Sequence, residues 1–335
     1  QDVGGFTEET LMQGYYEPMM RGLVGRYVPE ESVMGAFLIG EFGLMTMTVT
    51  YVLGLLLPLV VAFYFILSIM EDSGYLPRLA TLVDRMMNLI GLNGRAIIPM
   101  ILGFGCITMA TITTRLLGSE RERTIATALL GLAIPCSAQL GVIVGLLSGI
   151  GAYYTTLYVG ILVLVLGVTG RVLSRVLPGE TSDLLIDLPP LRLPRLENVL
   201  KKMATKSYAF LKEAAPLFAL GALIITTLQV TGLLETIQDV LAPVTVGILK
   251  LPRESANIFI MGMIRRDFGA AGLTDMAISP EQMLVSLVTI TLFVPCIASI
   301  LVIFKERGRR EGLLIWLGSW VAAFVVGGLV AAVLL

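Results

Sequence analysis

Charged residues leave five long gaps in this chain, at Phe42–Met70, Thr124–Gly170, Ala214–Leu234, Gln282–Phe304 and Gly312–Leu335. Each gap matches or exceeds the roughly 20 residues that carry a helix across a bilayer core. Thr124–Gly170 is long enough to cross twice, and its turn is predicted at Ser148–Tyr154, where Gly and interfacial Tyr cluster. The pattern predicts six spans, near 47–70, 123–148, 153–176, 208–230, 281–304 and 312–335. Leu76–Ile90 reads instead as an amphipathic helix carrying Arg78, Asp84 and Arg85. Residues 1–46, acidic and mixed in polarity, predict an extracytoplasmic segment with short amphipathic helices. Residues 177–207, with Pro178, Pro189, Pro190, Pro194 and three lysines, predict a polar cytoplasmic connection.

The two sides of that connection resemble each other. Leu132-Ala133-Ile134-Pro135-Cys136-Ser137-Ala138-Gln139 matches Leu292-Phe293-Val294-Pro295-Cys296-Ile297-Ala298-Ser299, Gly103 matches Gly262, and Gly74-Tyr75-Leu76 matches Gly232-Leu233-Leu234. The offset stays near 160 residues throughout, as an internal duplication of residues 47–176 and 208–335 predicts. Duplicated membrane halves are typical of transporters.

Two shorter apolar segments, Ala96–Thr114 and Ser255–Thr274, decide the topology. Full crossings would make the halves parallel; re-entrant hairpins near 95–117 and 255–275 would make them inverted. With hairpins, 18 Lys and Arg collect on one face and 6 on the other, whereas full crossings largely erase that asymmetry. Arg265-Arg266-Asp267 also lies mid-segment, where three ionised groups facing lipid would be expensive. The expected fold is an all-α polytopic membrane protein of two inverted repeats, each with three spans and one hairpin. Both ends of the chain are then expected outside.

Composition agrees: 56% of the 335 residues are hydrophobic and 15% charged, which excludes a water-soluble globule. A net charge of −1 gives no reason to expect nucleic acid, and the lipid bilayer is the expected partner. The chain has no histidine, so His-dependent catalysis and His-ligated metal are excluded. With no Gly-Lys dipeptide it has no phosphate loop of the GxxxxGK[ST] class, and no enzyme activity is expected of it. The first apolar run starts about 40 residues after Gln1, too late for a signal peptide.

Candidate chemistry gathers at the breaks. Pro135 and Pro295 lack an N–H, so the carbonyls of Gly131 and Thr291 lose their helical partners mid-span. A free carbonyl beside Cys136 or Cys296 suits a soft or borderline divalent cation. Proline kinks with cysteine as a small packing residue explain the same motif. Gly103-Phe104-Gly105-Cys106 lies at the centre of the first hairpin, and Met109, with Met100, Met261 and Met263, adds candidate thioethers. Asp267 needs a partner at depth, for which Arg265 and Arg266 are the neighbours, as a gate or a structural ion pair. Glu71-Asp72, at a span end, reads as an interfacial cap or a cation-attracting vestibule.

Taken in order, Glu71-Asp72-Ser73-Gly74-Tyr75, Asp84-Arg85-Met86, Gly103-Phe104-Gly105-Cys106, Arg121-Glu122-Arg123, Pro135-Cys136-Ser137-Ala138, Asp187-Leu188-Pro189, Leu292-Phe293-Val294-Pro295-Cys296 and Lys305-Glu306-Arg307-Gly308 resemble the membrane region of the bacterial ferrous iron transport protein B family. That resemblance implies import of Fe²⁺ across the bacterial cytoplasmic, or inner, membrane through two gate-type repeats. It implies a cytosolic GTPase domain as partner, upstream or on a separate chain, and a homo-oligomer is a further expected association. The chain departs from the family's usual residues at Ile107-Thr108-Met109 and at Ser137-Ala138-Gln139. Gate repeats are also distantly similar to nucleoside-transporter folds, so the alternative is a carrier of a nucleoside-like solute. A membrane receptor or scaffold would leave the duplicated breaks unexplained.

Overall fold

The computed structural model describes residues 57–179, 193–232, 243, 245–252, 255–264, 266–274, 276, 278–293 and 296–335. The expected segment 1–46, the start of the first span, most of the polar connection, Arg265 and Pro295 lie outside the described residues, as do the side chains of Met263 and Asp267. Every regular element among the described residues is helical: α1 (Leu57–Asp72), α2 (Tyr75–Leu89), α3 (Ile97–Gly105), α4 (Ile107–Thr113), α5 (Glu120–Ala133), α6 (Ser137–Ile150), α7 (Ala152–Val176), α8 (Leu196–Val230), α9 (Ser255–Ile264), α10 (Arg266–Ala271), α11 (Pro280–Phe293) and α12 (Ile297–Leu334), with short 3-10 turns around α3 and α4.

Among the described residues four helical stretches are long and apolar enough to cross a membrane, Glu120–Ile150, Ala152–Val176, Leu196–Leu228 and Pro280–Leu334. The last contains two of the six expected spans. Gly308, at φ +76°, interrupts α12, and the chain doubles back there. A Cβ on Gly312 would meet Phe304, the Ser319 hydroxyl donates to the Phe293 carbonyl at 3.3 Å, and Gly327 closes on Thr289. Gly151, at φ +113°, makes the corresponding turn between α6 and α7, inside the expected Ser148–Tyr154. Tyr154 then donates to Glu281 at the start of α11, 2.7 Å away.

Helix α8 begins at Leu196, ahead of the span expected from about 208. Lys201, Lys202 and Lys206 marked that stretch as polar, yet Leu, Glu, Lys and Met are good helix formers and carry the helix beyond the apolar span.

The chain divides into two compact units, one holding α1 and α8, the other α2–α7 and α9–α12. In the second, apolar side chains turn outward: Val159, Val163, Leu164, Val168 and Val172 of α7 and Val321, Val325, Leu329 and Val333 of α12 are all more than half exposed. Polar ones turn inward, among them Thr127, Gln139, Arg266, Thr289, Thr291 and Ser299. An apolar outer face, with these polar groups withdrawn into the interior, is what a lipid solvent selects.

The short helices are packed as reversals. At 1.5 Å per residue, α3 and α4 are only about 14 and 11 Å long, and α9 and α10 about 15 and 9 Å. No single limb reaches across a core of about 30 Å. Helix α10 turns back onto α9 with the Gly262 and Gly269 backbones touching, since a Cβ built on Gly269 would lie 2.6 Å from the Gly262 Cα. Helices α3 and α4 likewise pack on each other. At one end of the unit, Arg115 beyond α4 chelates Glu306, Arg307 pairs with Glu120 and Glu311, and Thr124 donates to Glu311. These contacts tie the exit of the α3–α4 reversal and the start of α5 to the turn at Gly308.

Candidate functional site

Each of the three cysteines stands where a helix is interrupted. Helix α5 stops at Ala133; Ile134 is extended (φ −104°, ψ 112°), Pro135 follows, and Cys136 (φ −78°, ψ 166°) starts α6. Cys296 (φ −55°, ψ 156°) starts α12 in the same way, and Cys106 (φ −150°, ψ 120°) is the single extended residue between α3 and α4. None of the three is in a disulfide and all are partly accessible, and the Cys136 and Cys296 side chains do not cap their helices.

Hydrogen bonds bring these breaks together. Ser137 of α6 donates to the Gly105 carbonyl at 3.0 Å, clamping the α3–α4 break to the first proline-broken helix. On the other side, Thr108 of α4 shares a hydrogen bond of 3.1 Å with Ser299 of α12, whose hydroxyl also lies 3.2 Å from the Cys296 sulfur. Cys106 and Cys296 are close enough to interact electrostatically. The α3–α4 break is therefore held between the two Pro-Cys breaks.

A second cluster joins the halves beside the first. Thr291 donates to its own helix at the Leu287 carbonyl and accepts from the Gln139 amide at 3.2 Å and the Tyr158 hydroxyl at 2.8 Å. The Gln139 carboxamide oxygen is buried without a hydrogen-bond partner. Arg266, buried at 2% exposure, donates from Nη1 to the Ile134 carbonyl at 3.1 Å and from Nη2 to the Gly131 carbonyl. Its charge reaches Cys136, Cys296 and Tyr158.

The structure thus gathers Cys106, Cys136, Cys296, Gly131, Thr291 and Arg266. It gives some of them contacts the sequence did not predict. The Gly131 carbonyl, expected open to a cavity, accepts a guanidinium, and the Thr291 hydroxyl sits in an interhelical hydrogen-bond cluster. Met109 is buried at 2% exposure and packs as a large core side chain. Among the described residues no three Cys, Asp or Glu side chains converge as a ready metal centre. Gln139 and Ser299 were missed as functional candidates, although each is the third residue after its Pro-Cys cysteine and the two align in the repeat. That symmetric polar pair was the available signal; Tyr158 had none.

Glu71 and Asp72 lie in the other unit. Lys206 and Lys202 approach the Glu71 carboxylate to 2.6 and 3.4 Å, and buried Asp72 accepts the Arg195 backbone N–H at 2.9 Å. These contacts join α1 to α8 and its N-terminal approach. Burial pushes the Glu71 carboxyl up, but the two ammonium groups outweigh it and hold it below its ordinary value of 4.5. A carboxyl lowered by folding stabilises the fold above its unfolded value, and that contribution fades as pH falls through the folded one. On acidification below pH 4.5, wild type is therefore expected to lose more thermal stability than Glu71→Gln. Equal losses in the two would mean the ion pair contributes nothing.

Comparison with known proteins finds one family model twice along the chain. The family model described as Gate, nucleoside recognition, matches residues 53–149 and again 211–310, together more than half of the chain. The model for the ferrous iron transport protein B C terminus matches residues 155–206. The chain is 28% identical to an Fe(2+) transporter FeoB of Methanocaldococcus jannaschii, over 82% of this chain and 47% of that protein. It is 30% identical to one of Helicobacter pylori over 67% and 34% of the two chains, and 27% identical to one of Staphylococcus aureus over 83% and 45%. The chain thus spans from a third to about half the length of these relatives. No solved structure matches it.

Proposed function

The chain belongs to the ferrous iron transport protein B family, and from that premise we propose that it forms the pathway by which Fe²⁺ crosses a bacterial cytoplasmic membrane. The observation that carries this reading is the meeting of three helix breaks, each bearing a partly accessible cysteine, inside a unit whose outer surface is apolar. A divalent ion that sheds water needs charge and soft or oxygen donors in return. Thiols at helix N-termini and carbonyls at interrupted helix ends are the groups a membrane interior can offer it. Donors strung along the breaks, rather than closed into one centre, suit an ion that must leave as well as enter.

In this reading the two repeats are inverted, with α3–α4 and α9–α10 as re-entrant hairpins meeting the Pro-Cys breaks near the midplane. The reversal of α10 on α9 and the limb lengths support it. The basic side faces the cytosol, where a GTPase domain, upstream or separate, docks and gates the pathway; copies of the chain associate in the membrane. Arg265, Arg266 and Asp267 act at the gate.

A second reading has one observation behind it. The Gate model is described as nucleoside recognition, and Gln139, Tyr158 and Thr291 are groups a nucleoside could hydrogen-bond. Purified chain in liposomes separates the two. We expect uptake of Fe²⁺ well above that of protein-free liposomes, weaker uptake of Zn²⁺ and Mn²⁺, and none of radiolabelled uridine. Uridine uptake without Fe²⁺ uptake would replace the first reading by the second.

A further inference from the structure

We propose that the Arg266 guanidinium is a tethered cation seated in a carbonyl cradle at the C-terminal end of α5, and that a transported divalent cation and Arg266 exclude one another from that cradle. The inference rests on the cation-pathway reading above and identifies what holds the pathway closed.

The cradle follows from the break. Gly131 would bond to the N–H of residue 135, which is proline, and Ile134 is already extended, so both carbonyls face away from any continuing helix. They also lie at the negative end of the α5 dipole. Interrupted helix ends of this kind are where membrane carriers coordinate cations. In this structure both carbonyls accept from one guanidinium, which is buried and which comes from the other half of the chain.

The position of Arg266 in its own helix gives no reason for it to be there. It is the first residue of α10, where a positive charge opposes the helix dipole. Two of its partners, the Gly131 and Ile134 carbonyls, lie across the interface. The same guanidinium lies within electrostatic reach of Cys136 and Cys296. A divalent ion brought to those thiols would meet a fixed positive charge in a low-dielectric interior, where like charges repel far more strongly than in water. One of the two must leave.

With Gly103 matched to Gly262, Arg266 falls opposite Ile107, so the first hairpin carries no charge at the matching position. Moving the α9–α10 hairpin would withdraw Arg266 from the cradle and open the pathway.

The test uses Co²⁺ binding to purified full-length chain in detergent, followed by thiolate-to-Co²⁺ absorption. Arg266→Gln is expected to bind Co²⁺ about tenfold more tightly than wild type, which corresponds to about 1.4 kcal/mol. In Arg266→Ala, free guanidinium ion should displace Co²⁺ competitively, and in wild type it should not. Thermal unfolding of both variants establishes that they are folded. Unchanged or weaker Co²⁺ binding in a folded Arg266→Gln, or no competition in Arg266→Ala, overturns the proposal. Failure of both variants to fold also overturns it, because the guanidinium is then a structural strut. Cys136→Ser in the Arg266→Gln background keeps the two readings apart. If that double variant binds Co²⁺ as Arg266→Gln does, the thiol pathway has failed; if it loses binding while Arg266→Gln matches wild type, only the tethered cation has.

Discussion

Replacing either Cys136 or Cys296 by serine is expected to lower Fe²⁺ transport by about tenfold or more, equivalent to at least about 1.4 kcal/mol of lost ion stabilisation. Serine is nearly the size of cysteine and leaves the extended backbone at each break undisturbed. Neither thiol caps its helix, and a serine hydroxyl at 296 still reaches Ser299, so the thermal stability of both variants should match wild type. What is lost is the acidity and softness of sulfur. A thiol beside a metal ion deprotonates readily; a hydroxyl does so far less and is a poorer partner for a borderline divalent ion. Cys106→Ser should have a similar effect, since the α3–α4 break is clamped between the other two. The measurement is Fe²⁺ uptake into liposomes by variants of verified stability. Normal uptake by a triple Cys→Ser chain would reduce the thiols to packing residues.

The largest loss of stability is expected from Gly269→Ala. A methyl group there would stand 2.6 Å from the Gly262 Cα, 3.0 Å from its N and 3.0 Å from the Ile258 carbonyl oxygen. These are backbone atoms of α9 and cannot swing aside like the end of a side chain. The two limbs must separate, at a cost of about 3 kcal/mol or more by the usual scale of overpacking, and Val should cost more than Ala. Because Arg266 stands at the turn between the limbs, separation also moves it relative to Gly131 and Ile134. Transport should therefore fail along with stability. Gly145→Ala is the control: nothing lies within 4 Å of its added methyl, and alanine is the better helix former. If the two variants unfold at the same temperature, the close approach of α9 and α10 does not contribute to stability.

Positions of interruption were legible along the chain because their causes are local. Pro135 has no N–H whatever surrounds it, and the break appears there, with Cys136 opening the next helix. Gly151 and Gly308 turn the chain at positive φ in places where long uncharged runs had to fold back or end. The reversals at 97–113 and 255–271 fall inside the segments that charge asymmetry had set apart. Even the missed pair, Gln139 and Ser299, stood at matching places in the repeat.

Partnership was not legible, and the reason is geometric. From sequence, the neighbour of Arg266 is Asp267; in the fold, its guanidinium reaches the carbonyls of Gly131 and Ile134, more than 130 residues away. Thr291 finds Gln139 and Tyr158 at similar separations, and Glu71 finds Lys202 and Lys206. A polar group taken out of water bonds to whatever partner packing places within about 3 Å. By itself the sequence determined where the apolar helices run and where they break, since hydropathy, proline and glycine act over a few residues. Only the tertiary structure decided that the freed carbonyls of α5 are held by a guanidinium from the other half, because that contact exists only once the two breaks are packed together.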